Sequence, residues 1–255
     1  MNSTKHKEIN ELLQQLLTQV QSILKDKFVG MYIGGSLASD SFHFEKSDID
    51  CYIITTSKLS KSMIKNIEEM HTQFYSSKFK YAKKIEASYI PQNDLLYFNP
   101  SGMRPYFNEG HYYLGEYGNN YIIELYVLRE NGISILGPDI KRLIKEISTQ
   151  DLILAIKKNL HEYWEATLSD FSKFRRSDYQ VFAILTMCRT LYSLETGTIT
   201  SKMEAAHWAI QTLGSNWKNL IERAIDWSPD QEINKSDEAQ QFVKYTINKS
   251  HDKKC

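Results

Sequence analysis

Cysteine, long apolar runs and any excess of one charge are all scarce in this chain, and each scarcity excludes something. Its 255 residues hold three cysteines, Cys51, Cys188 and Cys255, widely separated and odd in number. No CxxC pair and no Cys/His ligand spacing occurs, which argues against a structural zinc site and fits a reduced, cytoplasmic setting. His43, His111, His161 and His207 share no spacing with Cys or Asp, so no metal cluster is expected from them. No stretch of about 18 apolar residues is present, and the opening "MNSTKHKEINELL" has no uninterrupted apolar segment. A soluble, intracellular protein without a membrane partner is expected. Lys plus Arg and Asp plus Glu both total 31, for a formal net charge of zero. Proteins that bind nucleic-acid backbones usually carry a basic excess, so no nucleic-acid partner is expected, although a small local phosphate site stays possible. Neither an internal repeat nor a low-complexity segment is found, and a monomer is expected.

What the chain does contain is a mixed pattern followed by a helical one. Ile9, Leu12, Leu13, Leu16, Leu17, Val20, Ile23 and Leu24 recur at helical spacing over 7–27. "FVGMYIGG" reads as a strand ending in paired glycines, and "SDIDCYIITT" as a second strand. "SKSMIKNIEEMHTQFYSS" predicts a serine-capped helix, and "KKIEASYIP" a strand stopped by Pro91. Pro, Gly, Asn and aromatics dominate Asn99–Gly118, which predicts an ordered loop; a helix, a turn at Asn131-Gly132 and a short strand should follow. Beyond residue 148 strand signals cease. Five helical stretches follow, most opening on Ser or Asp, with Gly197 and Gly214 as stops, Trp164 and Trp208 on apolar faces and a fraying "HDKKC" tail. The expectation is an α/β domain over 1–148, a small mixed sheet with helices, and an all-α helical bundle over 149–255.

The chemistry concentrates in "GGSLASDSFHFEKSDIDCYIITT", residues 34–56. Strand residues i and i+2 project to one face, roughly 6.5–7 Å apart, so Asp48 and Asp50 direct two carboxylates to one point. Adjacent anions repel unless a cation lies between them, and Mg²⁺ takes one or two protein carboxylates while keeping phosphate oxygens in its shell. Gly35 permits close backbone approach, and Ser36 adds a hydroxyl at the first amides of a short helical turn, where an anion is favoured. Asp-x-Asp or Gly-Gly-Ser alone is commonly a solvated strand end or a plain turn; ordered and spaced as here, they are far more specific.

Gly35-Ser36 followed by Ser47-Asp48-Ile49-Asp50 resembles the signature of the DNA polymerase β-like nucleotidyltransferase superfamily. "ILGPDI", "TMCRTLYSLETGTITSKMEAAHWAI" and "IERAIDW" further resemble the bacterial aminoglycoside adenylyltransferases that modify streptomycin and spectinomycin. The resemblance runs from about residue 8 to 250 and is strongest at 31–54 and 183–210. It implies transfer of AMP from ATP to an antibiotic hydroxyl. By the same resemblance Gly35 and Ser36 meet ATP phosphate, and Asp48 and Asp50 hold magnesium, with two ions implied. Glu86 would be the catalytic base or a further metal ligand, and the two roles stay open. Arg189 and Lys202 match the basic residues that hold ATP, and Trp227 stands where the family has a tyrosine beside the nucleotide. Read without the family, Arg189 would be a bundle salt bridge and Lys202 a surface charge.

On the acceptor side the chain departs from the characterised enzymes, at the loop 100–118 and at 172–182. A cationic, polyhydroxylated acceptor calls for carboxylates and aromatic surfaces; Glu109, Tyr112, Asp178 and Tyr179 are the candidates. Alternatives are a superfamily transferase acting on another small molecule or on a protein, and a nucleotide-binding module without transferase activity.

Overall fold

The computed structural model describes residues 4–39, 41–97, 101–118 and 120–252. Two compact units divide the chain, Met1–Glu146 and Ile147–Cys255.

Helix α1 (Lys7–Leu24) buries Ile9, Leu12, Leu13, Leu16, Leu17, Val20 and Leu24 along the stripe its spacing predicts. Strand β1 (Phe28–Ile33) ends in a single helical turn, α2 (Gly35–Ala38), and β2 (Ile49–Thr55) returns antiparallel to β1, with Ile33 opposite Cys51. Helix α3 (Lys61–Tyr75) begins where the Ser60 hydroxyl accepts from the Met63 amide at 3.2 Å. It carries the chain over to β3 (Ile85–Pro91), which pairs parallel to β2.

The loop expected over Asn99–Gly118 is corrected by the structure. Asn99 and Pro100 lie outside the described residues; most of the remainder is a hairpin of β4 (Met103–Asn108) and β5 (His111–Glu116). Its turn residues Glu109 and Gly110 have φ of +51° and +76°, as a two-residue type I′ connection requires. Pro105 and a Glu-Gly turn hide the strand signal. Pairing of Phe107 and Tyr106 with Ala87 and Ser88 supplies from β3 what local propensity lacks. Helix α4 (Tyr121–Asn131), β6 (Ile133–Leu136) and the short α5 (Ile140–Leu143) complete the unit. The sheet order is β5-β4-β3-β2-β1-β6.

Alternation splits the sheet into two unlike faces. Met31, Ile33, Ile49, Cys51, Ile53, Ala87, Tyr89 and Phe107 form one core with the apolar stripe of α1 and with Ile67, Met70 and Phe74 of α3. The opposite face carries Asp50, Tyr52, Glu86, Arg104 and Tyr106, and Glu124 of α4 reaches it.

The second unit is helical, with no strand among its described residues. Helix α6 (Thr149–Asn159), capped by Ser148, runs into a π-helical turn at Leu160–Trp164 and then α7 (Glu165–Leu168). The long α8 (Ser177–Thr196) stops at Gly197, whose φ of +73° is the left-handed C-cap. Helix α9 (Lys202–Thr212) opens with a capping box between Ser201 and Glu204. Helices α10 (Ser215–Asp226) and α11 (Ser236–Asp252) close the unit around Ile184, Met187, Ala205, Ile221, Phe242 and Val243. Trp164 is buried as expected, whereas Trp208 is only half-buried, edge-on to Tyr192. His251 and Asp252 of the expected tail continue α11, and residues 253–255 lie outside the described residues. Among the described residues no helix is long and apolar enough to cross a membrane.

Candidate active site

The turn after β1 and the start of β2 are locked together by backbone. The Gly34 amide donates to the Asp50 carbonyl at 3.0 Å. Gly35 has φ +59°, and a Cβ there would stand 1.8 Å from Oδ2 of Asp50. The Asp50 carboxylate is thus seated against the one residue type that leaves room for it. Ser36 follows in α2, half-buried. Asp48 is exposed and lies immediately before β2, which starts two residues later than the expected strand opening at Ser47. Lys84 clamps this approach: its ammonium donates to the carbonyls of Glu45 and Ser47 at 3.0 and 3.1 Å.

Parallel pairing puts Glu86 directly opposite Asp50. The Tyr106 hydroxyl donates to Glu86 Oε2 at 2.5 Å, leaving Oε1 for other chemistry. Burial raises the Glu86 pKa above the usual carboxylate range; the Tyr106 hydrogen bond opposes this, while the fields of Asp48, Glu124 and Glu109 add to it. Burial and the Glu86 charge also push the Tyr106 hydroxyl upward, so it stays a donor. Cys51, on the core face, is buried with its thiol pKa raised by that burial, which makes it inert.

Behind Tyr106 stands a charged pair that sequence reading missed. Arg104 Nη2 donates to Glu124 Oε2 at 2.9 Å, with the two side chains 10% and 25% exposed. The Arg104 guanidinium lies 5.3 and 5.4 Å from the ring centroids of Tyr117 and Tyr121. Alternation in "MRPYFN", once seen as a strand, would have put Arg104 and Tyr106 on one face; Lys84 and Glu124 carry no comparable sequence signal.

The expected acceptor residues fare differently. Glu109, at the hairpin turn, lies near enough to raise the Glu86 pKa. Alternation places the Tyr112 ring on the helix-covered face, its centroid 5.5 Å from that of Phe107. Its neighbour Tyr113, half exposed, takes the carboxylate face with its ring 6.5 Å from Tyr106.

In the helical unit Asp178 is paired with Arg176 on an exposed surface. Tyr179 shares a 3.3 Å hydrogen bond with the Tyr163 hydroxyl and joins Trp164, Phe174 and Phe182 in an aromatic cluster. The Lys202 ammonium lies 4.6 Å from the Phe182 ring centroid, so Tyr179, Phe182 and Lys202 are brought together. Arg189 is half-buried on α8. Trp227 follows α10 and its indole N–H donates to the Gln231 carbonyl at 2.8 Å.

The donor set at the first unit suits a hard cation: Asp48, Asp50 and Glu86 offer oxygen only, in a field already crowded with Glu109 and Glu124. The carboxylates of Asp48, Asp50 and Glu86 do not form a group within 4.8 Å of one another.

A parallel strand pair presenting carboxylates beside a glycine-serine turn agrees with the nucleotidyltransferase frame that the sequence resemblance implies. Residues 142–252 match the model of the family described as "Aminoglycoside adenylyltransferase, C-terminal domain". Spectinomycin 9-adenylyltransferase of Campylobacter jejuni is 28% identical over 227 residues, covering 85% of this chain and 84% of the relative. The enzyme of that name from Staphylococcus aureus is 27% identical over 232 residues, covering 85% of each. Aminoglycoside (3'') (9) adenylyltransferase of Escherichia coli is 22% identical with 93% of both chains covered. In fold the chain is similar to the crystal structure of spectinomycin adenyltransferase AAD(9) from Enterococcus faecialis with ATP and spectinomycin. That likeness has a TM-score of 0.73 at 19% identity, over 94% of this chain and 98% of the other. In sequence over most of its length, and in fold, the chain is thus similar to the aminoglycoside adenylyltransferases.

Proposed function

We propose that this protein transfers AMP from ATP to a hydroxyl of an aminoglycoside or aminocyclitol antibiotic, with spectinomycin and streptomycin as first acceptors, and so confers resistance. The observation that carries the reading is the seat of Asp50: fitted against Gly35, hydrogen-bonded through its carbonyl to Gly34, and in register with Glu86. In the reaction the acceptor oxygen forms a bond to the α-phosphorus of ATP. The bond from that phosphorus to the bridging oxygen breaks, pyrophosphate leaves, and the acceptor proton passes to Glu86. Tyr106 occupies Oε2 of Glu86, so Oε1 takes the proton, and burial supports this role by raising the basicity of the carboxylate.

Asp48 and Asp50 would hold Mg²⁺, with Glu86 as a third ligand in the alternative where it is not the base; when bound, one or two such ions neutralise the charge growing on the phosphate oxygens. Ser36 and the amides of its turn bind phosphate, Arg189 and Lys202 bind the triphosphate, and Trp227 lies beside the nucleotide base. For the acceptor, Glu109 offers a carboxylate to an ammonium group, and Asp178 and Tyr179 are the candidates within the helical unit. The exposed Asp178–Arg176 pair is weak enough to exchange for a cationic ligand.

The test is incubation of the purified chain with ATP, Mg²⁺ and a panel of aminocyclitols, followed by mass analysis for an AMP adduct. Spectinomycin or streptomycin should be modified, and Asp50→Asn should lower the rate by about 100-fold or more. ATP binding without any modified acceptor would remove the antibiotic assignment alone. An undiminished rate in Asp50→Asn would remove the site.

A further inference from the structure

Among the described residues, the group of three or more His, Cys, Asp or Glu side chains whose ligand atoms all lie within 4.8 Å is His161, Glu165 and His251. It belongs to the helical unit and has no part in the transfer chemistry above. Sequence spacing gave no hint of it, because His251 comes from α11 and the other two from the π turn and the start of α7. We propose that these three side chains bind a divalent transition-metal ion, with Zn²⁺ as the reference ligand.

The geometry is half assembled. His161 Nδ1 lies 3.2 Å from Glu165 Oε1, and the His161 and His251 rings stand 4.7 Å apart between centroids. Around a tetrahedral ion bound at about 2.0–2.1 Å, neighbouring donor atoms lie roughly 3.3 Å apart. Closing the set therefore needs about an ångström of side-chain rotation. Glu165 and His251 are exposed and free to turn, while half-buried His161 holds its place. The π turn matters here, since a widened backbone at Leu160–Trp164 sets the direction in which His161 leaves the helix; such turns gather at functional positions.

Two imidazoles and one carboxylate make an N2O set, which prefers Zn²⁺, Co²⁺, Ni²⁺ or Cu²⁺ over Mg²⁺ and Ca²⁺. Three protein ligands leave at least one position to water. The last turn of α11, where His251 sits, also favours positive charge through the helix dipole. A bound ion would cross-link the C-terminal helix to the π turn and resist fraying of α11. Its role is structural, and AMP transfer does not depend on it.

Equilibrium dialysis of the full chain against micromolar ZnCl2 tests this, in excess MgCl2 so that the carboxylates of the first unit are occupied. Wild type should take up one equivalent of Zn²⁺ that His161→Ala and His251→Ala each lose or bind at least about tenfold more weakly. Zn²⁺ should raise the melting temperature of wild type more than that of either variant. Both variants should keep their Mg²⁺-dependent transfer rate. Zn²⁺ uptake equal in all three proteins, or none by wild type, would overturn the site.

Discussion

Asp50 and Glu86 are register partners across the parallel β2–β3 pair, so two strands deliver a carboxylate each to the same face at neighbouring backbone positions. Strands lie about 4.8 Å apart, which brings the two anions close without any loop having to place them. Rigidity of this kind makes the site intolerant of small displacements.

Gly35→Ala tests that intolerance most directly. The new Cβ would meet Asp50 Oδ2 at 1.8 Å, and the backbone would have to hold an L-residue at φ +59°. The expected outcome is a loss of folding stability of about 1–2 kcal/mol and a fall in kcat of about 100-fold. Urea unfolding and steady-state transfer rates measure the two effects. Wild-type kcat would mean that Asp50 can move aside without consequence.

Tyr106→Phe removes the hydroxyl that donates to Glu86 Oε2 and little else. A hydrogen bond to a charged group is worth about 1.5–3 kcal/mol, so kcat should fall roughly 10- to 100-fold. KM for ATP should stay constant, because Tyr106 orients the base and does not hold the nucleotide. An equal rise in KM would place Tyr106 in substrate binding instead.

Arg104→Met leaves Glu124 three-quarters buried without its partner. Breaking such a pair from one side costs about 3 kcal/mol or more, whereas removing both charges in Arg104→Met/Glu124→Leu should cost less than the single change. Chemical denaturation of the two singles and the double gives the coupling energy. Additive losses would mean that the pair contributes nothing as a pair.

His71 gives the stability a pH dependence. It is buried, shares a 2.9 Å hydrogen bond with the Tyr89 hydroxyl and stacks on Phe107 at 4.3 Å between centroids. Burial lowers its pKa from 6.5 to about 3. The folded state therefore keeps His71 neutral while the unfolded chain protonates it below pH 6.5, so this contribution is complete above pH 6.5 and is lost as pH falls toward 3. Across that window stability should drop by up to about 1.4 kcal/mol per pH unit from this group. His71→Gln, which can still bond Tyr89, should flatten that limb of the stability curve. An unchanged acid limb would assign the dependence to other groups.

Much of the carboxylate site was legible because its signal is local. A strand end, two glycines and Asp-x-Asp lie within residues 34–50, and each follows from short-range rules of backbone conformation and side-chain alternation. The hairpin Met103–Glu116 was not legible, since Pro105 and the Glu109-Gly110 turn look like loop until β3 offers a partner. The side that the Tyr112 ring takes is hidden for the same reason, since alternation has no meaning until the strand is known. The His161–Glu165–His251 group was invisible for a different cause, being made by two helices distant in sequence.

By itself, then, the amino-acid order determined the helices with their serine caps, the inner strands β1 to β3, and the glycine-serine turn that precedes Asp48 and Asp50. Only tertiary structure decided that Glu86 stands opposite Asp50, that Tyr106 and the Arg104–Glu124 pair back it, and which tyrosine of β5 shares their face. The division has one physical origin. Helix periodicity and turn conformation are set by neighbouring residues, whereas register between strands is settled by burying one face of the sheet, a choice that involves the whole unit at once.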